Sequence, residues 1–149
     1  MTRISLAAAA LLALASPLHA EDATMSYDAA KADITATIGG FPTFLKTFPR
    51  AGLAGAWSEL KAMEFSTDTA LSPKEKSLIS LAVAAQIPCS YCVWADTQSA
   101  RQAGATDEEI AEAVAMAALT RHWSTIFNGL QVDMATFQKE MSGDFTASN

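Results

Sequence analysis

Cysteine is nearly absent from this chain: among 149 residues there are two, both within Cys89-Ser90-Tyr91-Cys92. With no third cysteine to pair with, they either perform reversible thiol chemistry or form one small staple. Histidine is as scarce, at two residues, His19 and His122. A structural zinc site wants four ligands, so this set argues against one, and no metal or other cofactor is expected. Cations are outnumbered, with 10 Lys plus Arg against 16 Asp plus Glu and a net charge of −6. An acidic surface argues against nucleic acid and anionic membrane as partners. There is no repeat, no internal linker and no β-branched alternation, which leaves an all-α reading of an alanine-rich chain.

Long apolar runs are missing too. The run 4–15 falls short of the ~20 residues that span a bilayer. It follows Arg3 and precedes Ser16-Pro17-Leu18-His19-Ala20, the pattern of a cleaved secretory signal over residues 1–20. Its removal would take Lys plus Arg from 10 to 9, the net charge from −6 to −7, and leave His122 as the only histidine. Residues 21–149 are then one domain, large enough to fold without a disulfide. Export implies a periplasmic or secreted protein in an oxidising compartment, where the pair rests oxidised.

The helix signals run in order. A first helix is expected over 28–38, stopped by Gly39-Gly40, then an aromatic connector over 41–48 bounded by Pro42 and Pro49. A second helix over 50–63 puts Leu53, Trp57 and Leu60 on one stripe, and 66–71 is a loop. Ser72-Pro73-Lys74-Glu75 is a capping box with proline at the first helical position. Pro88 interrupts that helix, and a new one runs from the cysteines to Ala103, ended by Gly104. Thr106-Asp107-Glu108-Glu109 opens a helix to about Phe127, with Ile110, Val114 and Ala117 as its core stripe. Asn128-Gly129 breaks it before an amphipathic segment over 130–141 and a frayed tail.

Cysteines at a helix start lie where the macrodipole stabilises a thiolate nucleophile. Asp96, four residues after Cys92, shares its helical face. There it would either accept a thiol proton or act as a plain surface carboxylate. The turn at Gly104-Ala105 makes the flanking helices antiparallel, placing 121 level with Cys89 and 118 level with Cys92. His122 therefore lies near the cysteines in height, over a small face of Ala111, Ala115 and Ala118, and is read first as a partly buried structural histidine. Tyr91 and Trp94 are read as core or rim aromatics.

Several of these stretches together resemble one family. Leu71-Ser72-Pro73-Lys74-Glu75-Lys76, Leu81-Ala82-Val83-Ala84-Ala85, Cys89-Ser90-Tyr91-Cys92, Ala103-Gly104-Ala105-Thr106 and Glu108-Glu109-Ile110-Ala111-Glu112-Ala113 resemble the AhpD-like alkylhydroperoxidase branch of the carboxymuconolactone decarboxylase family. The resemblance implies an AhpD-like helical fold assembled as a trimer or hexamer. It also implies a dithiol in which Cys92 attacks a hydroperoxide and Cys89 resolves the sulfenic acid. The pattern departs at two positions: the relay glutamate and histidine of that branch are replaced by Ser77 and Asp96. Glu75 lies about 200° around the helix from the missing glutamate, so Asp96 or His122 is left to move protons.

An exported dithiol antioxidant enzyme that reduces organic hydroperoxides, with an unidentified exported thiol as reductant, is therefore the leading expectation. Thiol–disulfide exchange needs only an activated thiol and a partner disulfide. A non-redox binder or scaffold would keep the pair as a permanent disulfide, yet so short a loop is worth at most about 2 kcal/mol. A decarboxylase does not depend on a CxxC. Self-association is expected from the resemblance and from the apolar surplus.

Overall fold

The structure, a computed structural model, describes residues 25–146, so the leader assigned to residues 1–20 lies outside the described residues. Among the described residues all regular structure is helical. The chain forms two compact units, with the boundary after Trp57.

In the first unit, Ser26 accepts the Ala29 N–H and opens α1 (Tyr27–Ile38), and Gly39, at φ 82°, ends it in the left-handed region that glycine adopts without strain. A 3₁₀ turn, Thr43–Thr47, occupies the connector between Pro42 and Pro49. The core is Ala30 and Ile34 of α1 with Leu53 and Trp57 of α2 (Arg50–Leu60). The Trp57 indole N–H donates to Asp33 Oδ2 at 2.6 Å, so the buried aromatic has its polar edge satisfied. Leu60 does not join that stripe. The α-helix gives way at this residue to a π-helical turn, Lys61–Phe65, and Leu60 is left exposed.

The second unit holds α3 (Pro73–Gln86), α4 (Ser90–Gln102), α5 (Asp107–Gly129) and α6 (Met134–Met141). Both expected capping boxes are formed. Ser72 and Glu75 exchange hydrogen bonds at 3.3 and 2.7 Å, Thr106 and Glu109 at 3.1 and 2.8 Å. α3 and α4 fold back on each other as an antiparallel pair, and α5 packs on α3 with only slight contact to α4. The buried residues here are Leu81, Ala84, Ala100 and Ala117. Three of the four are alanines, so the helices meet through small side chains and little volume is buried per contact.

That narrow contact explains two further differences. Of the stripe expected on α5, Ala117 is buried, Ile110 is half-buried and Val114 is exposed, because one neighbour within the chain covers only one edge of the helix. α5 also continues past Asn128, whose side-chain amide donates to the Ser124 carbonyl at 2.7 Å. The break falls instead at 130–133, where Gln131 takes φ 52° and Asp133 caps α6 by accepting the Thr136 N–H at 2.8 Å.

The start of α5 is tied to that of α3 by Lys74 Nζ to Glu109 Oε1 at 2.7 Å. That ammonium, followed by the Thr106 N–H, holds the Glu109 carboxyl below its ordinary range. A depressed folded-state pKa contributes stability that is present above the ordinary carboxylate range and lost as pH falls through the lowered one. Thr106→Ala removes the cap that presents this arrangement, and should lower the unfolding free energy by about 1 kcal/mol at neutral pH in urea titrations.

Candidate functional site: the dithiol and the cavity below it

Ile87 caps α3, Pro88 turns the chain, and the Cys89 N–H donates to the Ala84 carbonyl at 3.1 Å. Cys89 then stands at the N-cap of α4, its Sγ accepting the Cys92 N–H at 3.3 Å. A sulfur therefore takes the place usually filled by a Ser or Asp oxygen, at the positive end of the helix. Cys89 and Cys92 are joined in a disulfide with Cα atoms 5.3 Å apart. Both cysteines are half-buried. Opening the bond would leave any Cys89 thiolate facing that same N–H. Tyr91 and Trp94 are not core residues: they are 88% and 70% exposed, projecting from α4 where none of the described elements covers them.

Asp96 lies one helical turn beyond Cys92 and lines a cavity of about 380 Å³. The α3 side contributes Lys76, Ser77 and Ser80, and Glu64 and Phe65 of the π-helical turn close one end. Burial pushes the Asp96 carboxyl above its ordinary range. Glu64 is also raised, by burial first and then by the Asp96 charge, with Lys76 opposing. The Lys76 ammonium donates to the Ser66 carbonyl at 2.8 Å, and the Ser77 hydroxyl donates to Pro73 O at 3.0 Å. Ser77 and Asp96, 19 residues apart in sequence, thus share one wall system, and Glu64 joins them from a third element.

Sequence reasoning missed Glu64. Its place in Met63-Glu64-Phe65 carries no motif, and the π-helical geometry that presents it has no periodic signature. His122 is brought to the expected helix but not to a buried position. It is exposed, with its ring edge-on to Trp123 at 5.2 Å. Its neighbour Arg121 is the α5 side chain that reaches the end of α3. Arg121 Nε donates to Gln86 Oε1 at 2.7 Å, and Gln86 Nε2 donates to the Ala117 carbonyl at 2.6 Å. The turn at Gly104-Ala105 predicts α4 and α5 side by side, but α5 packs on α3 and only slightly on α4, so His122 is not carried to the cysteines.

Residues 51–133 match the model of the carboxymuconolactone decarboxylase family. The chain is 38% identical over 71 residues to "Uncharacterized protein 4 in cox locus" of Paracoccus denitrificans, a match covering 48% of this chain and 63% of that protein. This chain therefore spans less than two thirds of that relative's length. Its fold is similar to the crystal structure of the alkylhydroperoxidase AhpD core from Rhodospirillum rubrum, with a TM-score of 0.61 and 27% identity. That likeness covers 72% of this chain and 82% of the other.

Proposed function

This chain belongs to the carboxymuconolactone decarboxylase family, and on that footing we propose that it is a dithiol oxidoreductase reducing organic hydroperoxides. The observation that carries the reading is the half-buried Cys89–Cys92 pair at the start of α4, with Asp96 one turn further along the same helix. In the reduced protein the Cys92 thiolate attacks the terminal oxygen of a hydroperoxide. The S–O bond forms, the O–O bond breaks, and the departing alkoxide takes a proton to leave as alcohol. Cys89 then attacks the sulfenic sulfur; the S–S bond forms and, with one further proton, water leaves. A thiol donor outside this chain supplies two electrons to reopen the disulfide.

Asp96 is the group assigned to the proton, in preference to His122. It shares the face of Cys92, and its carboxyl keeps a proton to higher pH than a free aspartate, whereas His122 rests against Trp123. The leader pattern in 1–20 supports export, and the exposed Ile79 and Val83 on successive turns of α3, with Ile87 at its C-cap, support a homo-oligomer. A second reading, thiol–disulfide exchange, draws support from Cys89 at the N-cap, the place in α4 where a thiolate is best stabilised.

Stopped-flow mixing of reduced residues 21–149 with cumene hydroperoxide, followed by tryptophan fluorescence and thiol titration, tests the first reading. Stoichiometric thiol loss well above the rate of free cysteine is the expected result. A rate no faster than free cysteine would sink the peroxidase, and the reduction potential of the pair would then decide on exchange.

A further inference from the structure

We propose that Glu64 pairs with Asp96 across the cavity as a two-carboxyl proton store serving Cys92. The inference rests on the peroxidase reading above and adds to it a residue from a different element. Two carboxyls in one partly enclosed space cannot both ionise cheaply, so the first to ionise holds the proton on the second. Among the described residues, the charged groups lining this cavity are Glu64 from the π-helical turn, Lys76 from α3 and Asp96 from α4, while α5 contributes none. One ammonium against two carboxyls balances a single negative charge, the state in which the pair retains one proton.

The turn that presents Glu64 is built to hold it there. The Ser66 N–H bonds the Lys61 carbonyl at 3.0 Å, closing the wider five-residue ring, and Lys76 anchors the same Ser66 through its carbonyl at 2.8 Å. π-helical turns of this kind are frequent at functional sites. Asp96 stands four residues from Cys92, about one turn along the same face of α4. Glu64 touches no reacting atom in this scheme. It is a positioning residue: burial and the Asp96 charge hold the pair's proton on Glu64, and Asp96 passes that proton to the alkoxide.

The test compares wild type with Glu64→Gln, Asp96→Asn and the double variant in single-turnover reaction with cumene hydroperoxide across pH. Glu64→Gln should slow thiol loss about tenfold or more, given that positioned acids contribute 10²–10⁴ in rate. Its high-pH falling limb should move to lower pH, because the variant loses the carboxyl that retains the pair's proton beyond the Asp96 titration. Asp96→Asn should slow the reaction at least as much, and the double variant no further, since the two act as one unit. Alkylation of Cys92 by iodoacetamide expels iodide and needs no donated proton, so Glu64→Gln should alkylate no more slowly than wild type. Glu64→Asp should recover part of the rate. An active wild type beside an unaffected Glu64→Gln, an unmoved falling limb, or losses that multiply in the double variant would each overturn the pairing alone. A wild type that loses thiols no faster than free cysteine overturns the peroxidase and the proton store together.

Discussion

Cys92→Ser is expected to reduce peroxide turnover to background while shifting the unfolding free energy by no more than about 2 kcal/mol. The two halves of that result have separate origins. Turnover needs a sulfur that can carry oxygen through a sulfenic acid, and serine offers none. Stability barely depends on the bond, because a disulfide between residues three apart closes too short a loop to restrain the unfolded chain strongly. Cys89→Ser separates attack from resolution. It should consume one equivalent of hydroperoxide and stop at a Cys92 sulfenic acid, trapped by dimedone and weighed by mass spectrometry. The opposite pattern, with Cys92→Ser still forming a sulfenic acid and Cys89→Ser inert, would assign attack to Cys89 at its N-cap. A loss of several kcal/mol in Cys92→Ser without loss of turnover would make the pair a staple.

The parts of this molecule that sequence makes legible are those fixed by bonds between near neighbours. Ser72 with Glu75 and Thr106 with Glu109 start their helices where the pattern places them, because each box satisfies orphan N–H groups within one turn. Cys92 and Asp96 share a face for the same local reason. What stays hidden is set by neighbours distant in the chain. Glu64 enters the cavity from the π-helical turn after Leu60, and α5 packs on α3 rather than on α4, where Arg121 reaches Gln86. Periodicity also marks an apolar face without saying how wide its cover is. Val114 and Tyr91 therefore read as core or rim in sequence and stand exposed in the chain. At Asn128 a favourable turn dipeptide is overridden, since its amide finds a better acceptor on Ser124 within the helix.

Leu81→Ala is expected to lower the unfolding free energy by about 2–5 kcal/mol, measured by urea titration at neutral pH. Leu81 is 1% exposed and lies on α3, the helix against which both α4 and α5 pack. Its buried companions are alanines, which have no side-chain volume to swing into the space it leaves, so the upper part of that range applies. Val83→Ala, two residues further along the same helix at 53% exposure, is the matched control and should cost within about 0.5 kcal/mol in a lone chain. The control also reads the apolar line formed by Ile79, Val83 and Ile87. If a second copy covers that line, Val83→Ala will cost more, and its midpoint will fall further as the protein is diluted, because association adds stability by mass action. Ser80, beside Leu81, lines the cavity opposite Asp96, so a loosened α3 also loosens the wall that keeps the carboxyl from bulk water. Leu81→Ala should accordingly lower the peroxide rate at a pH where Cys92 is fully ionised, through a less protonated Asp96.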